Sequence, residues 1–230
     1  MSRFPDRYRR NAQTISPENQ TKIQASTVAV IGCGGLGGYI AEELARLGIG
    51  RLILIDGDRI EESNLNRQLF ATEKVVGTPK VESAGKRLRE VNSEVKLELF
   101  QDWFKEEKAQ TLLTGADVVC DALDSIPARL ELERSCHALN LPLVFAGIAG
   151  WYGLVGVSFP GDQSVARLFG QGERGVETVL GNPPFTPAVV ASLAVAEAVK
   201  TLLGKESVLR HAWLQVDLLA MEFEKFYLQI

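Results

Sequence analysis

The chain has 230 residues, with 25 Lys and Arg against 29 Asp and Glu for a net charge of −4, and 46% of its residues are hydrophobic. A chain this long buries roughly 70% of its unfolded surface, so folding requires neither a disulfide framework nor a structural metal. The slight acidity, with basic residues scattered along the chain, speaks against nucleic acid as the main partner, because phosphate binding needs a concentrated cationic face.

Three cysteines, Cys33, Cys120 and Cys136, are an odd number without a CxxC pair. With only two histidines beside them they read as small buried hydrophobes, which leaves no zinc site and no thiol nucleophile to expect. The first ten residues are charged and lack the apolar stretch of a secretory signal. The longest apolar helical pattern, 186–203, carries Glu197 and Lys200, so the expectation is a cytoplasmic protein with no membrane span.

In chain order, residues 1–26 read as a helical N-terminal segment. Strands are expected near 27–31, 52–55, 95–100, 117–121 and 143–146, and helices near 36–47, 80–91, 106–113 and 127–139. β-branched runs alternating with helical patterns imply an α/β fold, a Rossmann-like mostly parallel sheet with helices on both faces. A strand over 152–159, a Gly- and Pro-rich connection over 160–187, a helix to about 203 and strands near 212–216 and 222–228 then close the sheet with antiparallel strands. One domain results, with a first half (27–150) and a second half (151–230). The 160–187 connection is long for a structureless loop and is a candidate cover for a site. The late helix is apolar nearly all round, which implies burial on several sides.

Gly32-Cys33-Gly34-Gly35-Leu36-Gly37 follows an apolar strand and opens a helix, the context that a G-x-G-x-x-G nucleotide turn requires. Glycines let the backbone approach a ligand, and free N–H groups at the helix start attract phosphate oxygens. Asp56 ends the second strand where a carboxylate accepts ribose hydroxyls. Alone, these features suit NAD better than ATP.

The next residues do not suit NAD. Asn64, Arg67 and Gln68, followed by Lys80 after Pro79, gather cations and amides in a short span. Each alone reads as a surface residue, but together they can neutralise a triphosphate. At the end of the fourth strand, Asp121 and Asp124 face the ligand crevice of an open α/β sheet. Asp124 suits Mg²⁺ bound through one carboxylate plus substrate phosphates. Helix capping by Asp124 or Ser125 is the equal alternative, and Asp121 reads as structural.

The combination of Arg7-Tyr8-x-Arg10, GxGGxG, the Asp56-x-Asp58 turn, Ser63-Asn64-Leu65-x-Arg67-Gln68, Pro79-Lys80-Val81 and Asp121-x-x-Asp124 resembles the MoeB/ThiF/HesA family, relatives of the ubiquitin-activating enzymes. The resemblance runs from about Arg7 to Leu228. It implies a homodimeric enzyme that uses Mg·ATP to adenylylate the C-terminal glycine of a small ubiquitin-like sulfur carrier ending in Gly-Gly, releasing pyrophosphate. By that resemblance Gly32, Gly34, Gly35, Gly37, Asp56, Asp58 and Gln68 belong to the nucleotide site. Asn64, Arg67 and Lys80 belong to its phosphates, Asp124 to magnesium, and Arg10 to the neighbouring subunit's ATP.

The chain departs from that pattern in lacking two CxxC pairs, so zinc is not expected, and in lacking any cysteine between 160 and 187. The chemistry is therefore expected to stop at the acyl-adenylate, with sulfur supplied by a separate donor. Asn11 and Ser125 replace the Gln and Asn usual in the family. An NAD-dependent oxidoreductase and a non-catalytic partner of a ubiquitin-like protein remain the alternatives.

Overall fold

The computed structural model describes residues 5–170 and 177–228. A 3-10 turn (Asp6–Asn11) and α1 (Pro17–Ala25), whose N-terminus is capped by Ser16, lead into an eight-stranded sheet. Strands β1 (Thr27–Ile31), β2 (Arg51–Ile55), β3 (Lys96–Phe100), β4 (Val118–Asp121) and β5 (Leu143–Ala149) run parallel in the order β3-β2-β1-β4-β5. Beyond them β6 (Tyr152–Ser158), β7 (Ala212–Asp217) and β8 (Glu222–Tyr227) continue the sheet antiparallel. This is the mixed α/β sheet expected from the sequence.

The central strands are near-continuous apolar runs because both faces are covered. Val28, Val30, Leu52, Leu54, Val118 and Cys120 point to one face, where α2 (Gly35–Leu47), α3 (Lys80–Val91) and α8 (Phe185–Leu202) pack. Ala29, Ile31, Ile53, Ile55 and Val119 point to the other, under α4 (Ala109–Leu112), α5 (Ile126–Ala138) and α6 (Ser164–Phe169). Two helical layers thus fix the carboxyl ends of β1, β2 and β4 at one rim.

Two expectations need correction. The helix expected over 106–113 is a 3-10 turn (Glu106–Lys108) followed by the single turn of α4. The 160–187 connection is not a structureless loop: it contains α6, α7 (Glu177–Leu180) and the start of α8. The signal for α6 lies far away in sequence. The buried Glu133 of α5 accepts hydrogen bonds from the Val165 and Ala166 N–H groups and from Ser158 Oγ, at 2.8, 2.9 and 2.6 Å, and so holds the N-terminus of that helix. As expected, α8 is buried on several sides, against α2, β5 and β6. Val190, Ala191, Ala194 and Ala198 face the core, whereas Ser192 and Ala196 are exposed. By length and composition α8 is also apolar enough to cross a membrane, but here it packs on α2, β5 and β6.

Candidate functional site: a nucleotide cleft at the strand ends

β1 connects to β2 on one side and the chain later returns to β4 on the other, so a crevice opens above the carboxyl ends of β1 and β4. A cavity of about 760 Å³ occupies it. Its wall brings together Gly32, Gly34, Gly35, Asp56, Asp58, Asn64, Arg67, Gln68, Lys80 and Asp124, residues drawn from five separate stretches of sequence.

The four motif glycines do two different things. Gly32 has φ +96° and its N–H donates to Ile55 O at 2.8 Å, which ties the turn to β2; a Cβ there would stand 2.6 Å from Ala122 O. Gly37 is closed even more tightly, since its Cβ would lie 1.8 Å from Gly32 O. These two let the chain turn. Gly34 and Gly35 have no neighbour within 3.6 Å of an added Cβ, so the backbone itself does not demand glycine there. They form an open cradle at the start of α2, whose first N–H groups lack intrahelical partners and suit an anion.

Asp56 is buried, and its carboxylate accepts the Cys33 N–H at 2.6 Å and the Asp58 N–H at 2.8 Å. Burial pushes its carboxyl above the ordinary aspartate value, and the nearby Lys80 opposes that rise. Lys80 does not stand free: its Nζ pairs with Asp58 Oδ2 at 2.8 Å. The two residues meet because the Arg59–Pro79 bridge and the Lys80 N–H to Asp58 O bond clamp the start of α3 to the end of the Asp56 turn. The Lys80 stem is buried while Asp58 is half exposed, so the ammonium is held at the cleft wall by a partner that solvent or an anion can displace.

Asn64 is also committed locally. Its Oδ1 accepts the Glu61 N–H at 3.1 Å, closing a capping box around the turn that presents Arg67. Arg67 donates through Nη1 to Ser63 O and Asn66 Oδ1, at 3.1 and 2.9 Å, with no carboxylate partner among the described residues. Gln68 is buried with its amide nitrogen facing Gly34.

On the opposite wall Asp121 and Asp124 divide the roles left open by the sequence. Asp121 is fully buried, pairs with Arg129 at 2.8 Å and accepts the Leu123 N–H at 2.9 Å, so it shapes the β4–α5 turn. Burial pushes its carboxyl up, and the Arg129 guanidinium counters this. Ser125 caps α5 by accepting from the Ala128 N–H at 3.4 Å. That leaves Asp124 exposed on the cavity wall with no hydrogen bond or ion pair to the described residues, a free carboxylate.

Arg10 is exposed on the N-terminal turn and does not line this cavity. The turn is pinned instead by Tyr8, whose ring fills the space over Gly48 and whose hydroxyl accepts from Asn92 at 3.0 Å. All three cysteines are free and buried, and burial pushes the Cys120 thiol up to about 12. Among the described residues no group of three or more His, Cys, Asp or Glu side chains is placed to hold a metal.

Sequence reasoning missed the residues that complete the walls: Trp103 and Phe104 after β3, Tyr152 and Leu154 on β6, Asn182 before α8, and Gln215 on β7. No short motif marks them, since each reaches the cleft through sheet topology.

The ThiF family pattern matches residues 8–229. The chain belongs to the ThiF family. A sulfur carrier protein adenylyltransferase of Thermus thermophilus is 35% identical, over 96% of this chain and 86% of that protein. A SAMP-activating enzyme E1 of Haloferax volcanii is 33% identical, over 95% of this chain and 83% of its own. The crystal structure of E. coli MccB with ATP aligns with a TM-score of 0.80 over 97% of this chain and 72% of that one; at 23% identity this is a likeness of fold.

Proposed function

We propose that this ThiF-family chain is an adenylyltransferase that uses Mg·ATP to activate the C-terminal glycine of a small ubiquitin-like sulfur carrier of the ThiS or MoaD kind, working as a cytoplasmic homodimer. The observation that carries the reading is the convergence on one cavity of a glycine cradle, the buried Asp56, the tethered cation Lys80 and the unpartnered carboxylate Asp124. A dinucleotide alone leaves Lys80, Arg67 and Asp124 without work, which disfavours the oxidoreductase alternative.

In this reading Asp56 accepts the ribose hydroxyls, and the N–H groups around Gly34 and Gly35 receive phosphate oxygens. Arg67 and Lys80 stabilise the negative charge, with Lys80 exchanging Asp58 for phosphate. Asp124 would hold Mg²⁺ through its carboxylate, and the ion would supply neutralisation of phosphate charge. An oxygen of the carrier's terminal carboxylate attacks the α-phosphorus. As the new acyl–phosphate bond forms, the bond to the bridging oxygen breaks and pyrophosphate leaves with that electron pair. A carboxylate is already ionised at neutral pH, so no general base is needed. Barrier lowering then comes from positioning and charge stabilisation. Arg10, outside its own cleft, serves the site of the neighbouring subunit. In this reading, with its cysteines buried and none in 160–187, the chain leaves sulfur delivery to a separate donor.

Carrier-dependent ATP–pyrophosphate exchange tests this. Lys80→Ala and Asp124→Ala are each expected to lower exchange by about 10²–10³, the loss typical when one preorganised charge-stabilising group is removed, without loss of folding. Mixing Arg10→Ala with Asp124→Ala subunits is expected to restore about a quarter of wild-type sites, because half of the closed two-fold dimers then hold one complete site. Near-normal exchange in the single variants contradicts the site assignment, and no recovery on mixing contradicts the role of Arg10.

A further inference from the structure

Trp103 is 60% exposed, an unusual position for the largest apolar side chain, and it stands on the wall of the nucleotide cleft. Its indole rests on the backbone of Gly57. A Cβ added there would meet Cε2, Cδ2 and Nε1 at 2.6, 2.7 and 2.8 Å, three atoms of the ring system at nearly one distance, which describes a ring presented by its face. Gly57 directly follows Asp56. The Trp103 loop is itself anchored on both sides: the Asp102 carboxylate accepts the Trp103 N–H at 2.9 Å and Lys108 Nζ at 2.6 Å, while Phe104 is buried in the core under α5. One face of the indole is therefore held against the Asp56 turn, and the residue opens to the cavity one position beyond the carboxylate that suits a ribose.

We propose that Trp103 is the base platform of this site: its indole stacks on the purine of the nucleotide whose ribose Asp56 holds. This rests on the proposed use of ATP. An aromatic face attracts any base through its π surface and selects by stacking area rather than by hydrogen-bond pattern, so Trp103 favours purine over pyrimidine nucleotides and discriminates little between adenine and guanine. The base is distant from the reacting phosphorus, so the contact is equal in ground and transition states and belongs in KM rather than in kcat.

The test is steady-state ATP–pyrophosphate exchange with ATP, GTP and CTP. Trp103→Ala is expected to raise KM for ATP about tenfold, equivalent to about 1.4 kcal/mol, with kcat within about twofold and with purine-over-pyrimidine preference reduced. Trp103→Phe recovers most of the loss. Gly57→Ala, which displaces the ring without altering it, is expected to raise KM in the same direction. In a Trp151→Phe, Trp213→Phe background the remaining indole emission should be quenched by ATP more than by CTP. An unchanged KM in Trp103→Ala, or emission indifferent to ATP in a chain that still catalyses exchange, overturns the platform while leaving the adenylyltransferase reading intact. A wild-type chain that neither binds ATP nor exchanges pyrophosphate overturns both.

Discussion

Gly32, Gly34, Gly35 and Gly37 share one turn but carry separable constraints, and substitution should separate them. Gly37→Ala places a methyl 1.8 Å from Gly32 O, and no side chain can move to relieve a backbone contact. It is expected to cost several kcal/mol, at or beyond the ~1–3 typical of overpacking, seen as a lowered melting temperature. Gly34→Ala meets nothing closer than 3.6 Å and should melt within about 0.5 kcal/mol of wild type; it nevertheless loses ATP affinity, because the methyl fills the cradle. A Gly34→Ala protein that binds ATP normally would show that phosphate does not lie there.

Asp56 gives a pH signature of opposite sign for folding and for binding. Burial raises its folded-state pKa above the ordinary ~3.9. The free protein therefore holds this group's contribution to stability at low pH and loses it as pH rises through the folded-state value. ATP, whose ribose hydroxyls bind the ionised form, gains affinity over the same rise. Calorimetric titration between about pH 4 and 7 should show ATP binding weaken on the acid side, and Asp56→Asn should remove the part of that dependence centred just above the usual aspartate range while leaving the part that belongs to the phosphates of ATP, which titrate near pH ~6. A pH-independent affinity in the wild type contradicts the role of Asp56. Asp56 and the glycines are legible in sequence because their relation is local, set by strand, turn and helix. The Asp58–Lys80 pair is not, since it depends on the bridge that joins two turns across 22 positions.

At the level of elements, most of the parallel sheet can be read from β-branched runs spaced by amphipathic helices, and those elements depend on local patterning. The stretch between β6 and α8 cannot. The Gly- and Pro-rich composition of 160–187 signals loop, yet α6 forms because Glu133, contributed by α5, satisfies its first N–H groups. Glu133→Ala removes both acceptor oxygens and leaves Ser158 Oγ and two helix N–H groups without their partner. At about 1–3 kcal/mol for a buried group left unsatisfied, it should destabilise the fold measurably and release α6 first. Hydrogen exchange is expected to accelerate at Val165 and Ala166 well before it changes in β1 or β4; uniform acceleration across the chain would contradict this local role.

For the whole molecule, the outer ends of β1, β2 and β4 and the returning strand β6 converge on a single cleft. Its polar half is supplied by motifs readable in sequence; its apolar half, with Phe104, Tyr152 and Leu154, is supplied by topology. The cleft extends along the sheet past β5, with Tyr152 of β6, Gln215 of β7 and Asn182 before α8 in its wall. In the proposed reading a nucleotide fills the first part and an extended foreign C-terminus the second, the arrangement that a carboxylate-activating enzyme requires. Intact-mass measurement of a small carrier ending in Gly-Gly, incubated with this protein and Mg·ATP, tests that claim most directly. The account predicts a carrier heavier by one adenylate, formed by the wild type and not by Lys80→Ala; a carrier of unchanged mass, with ATP bound in the cleft, would contradict it.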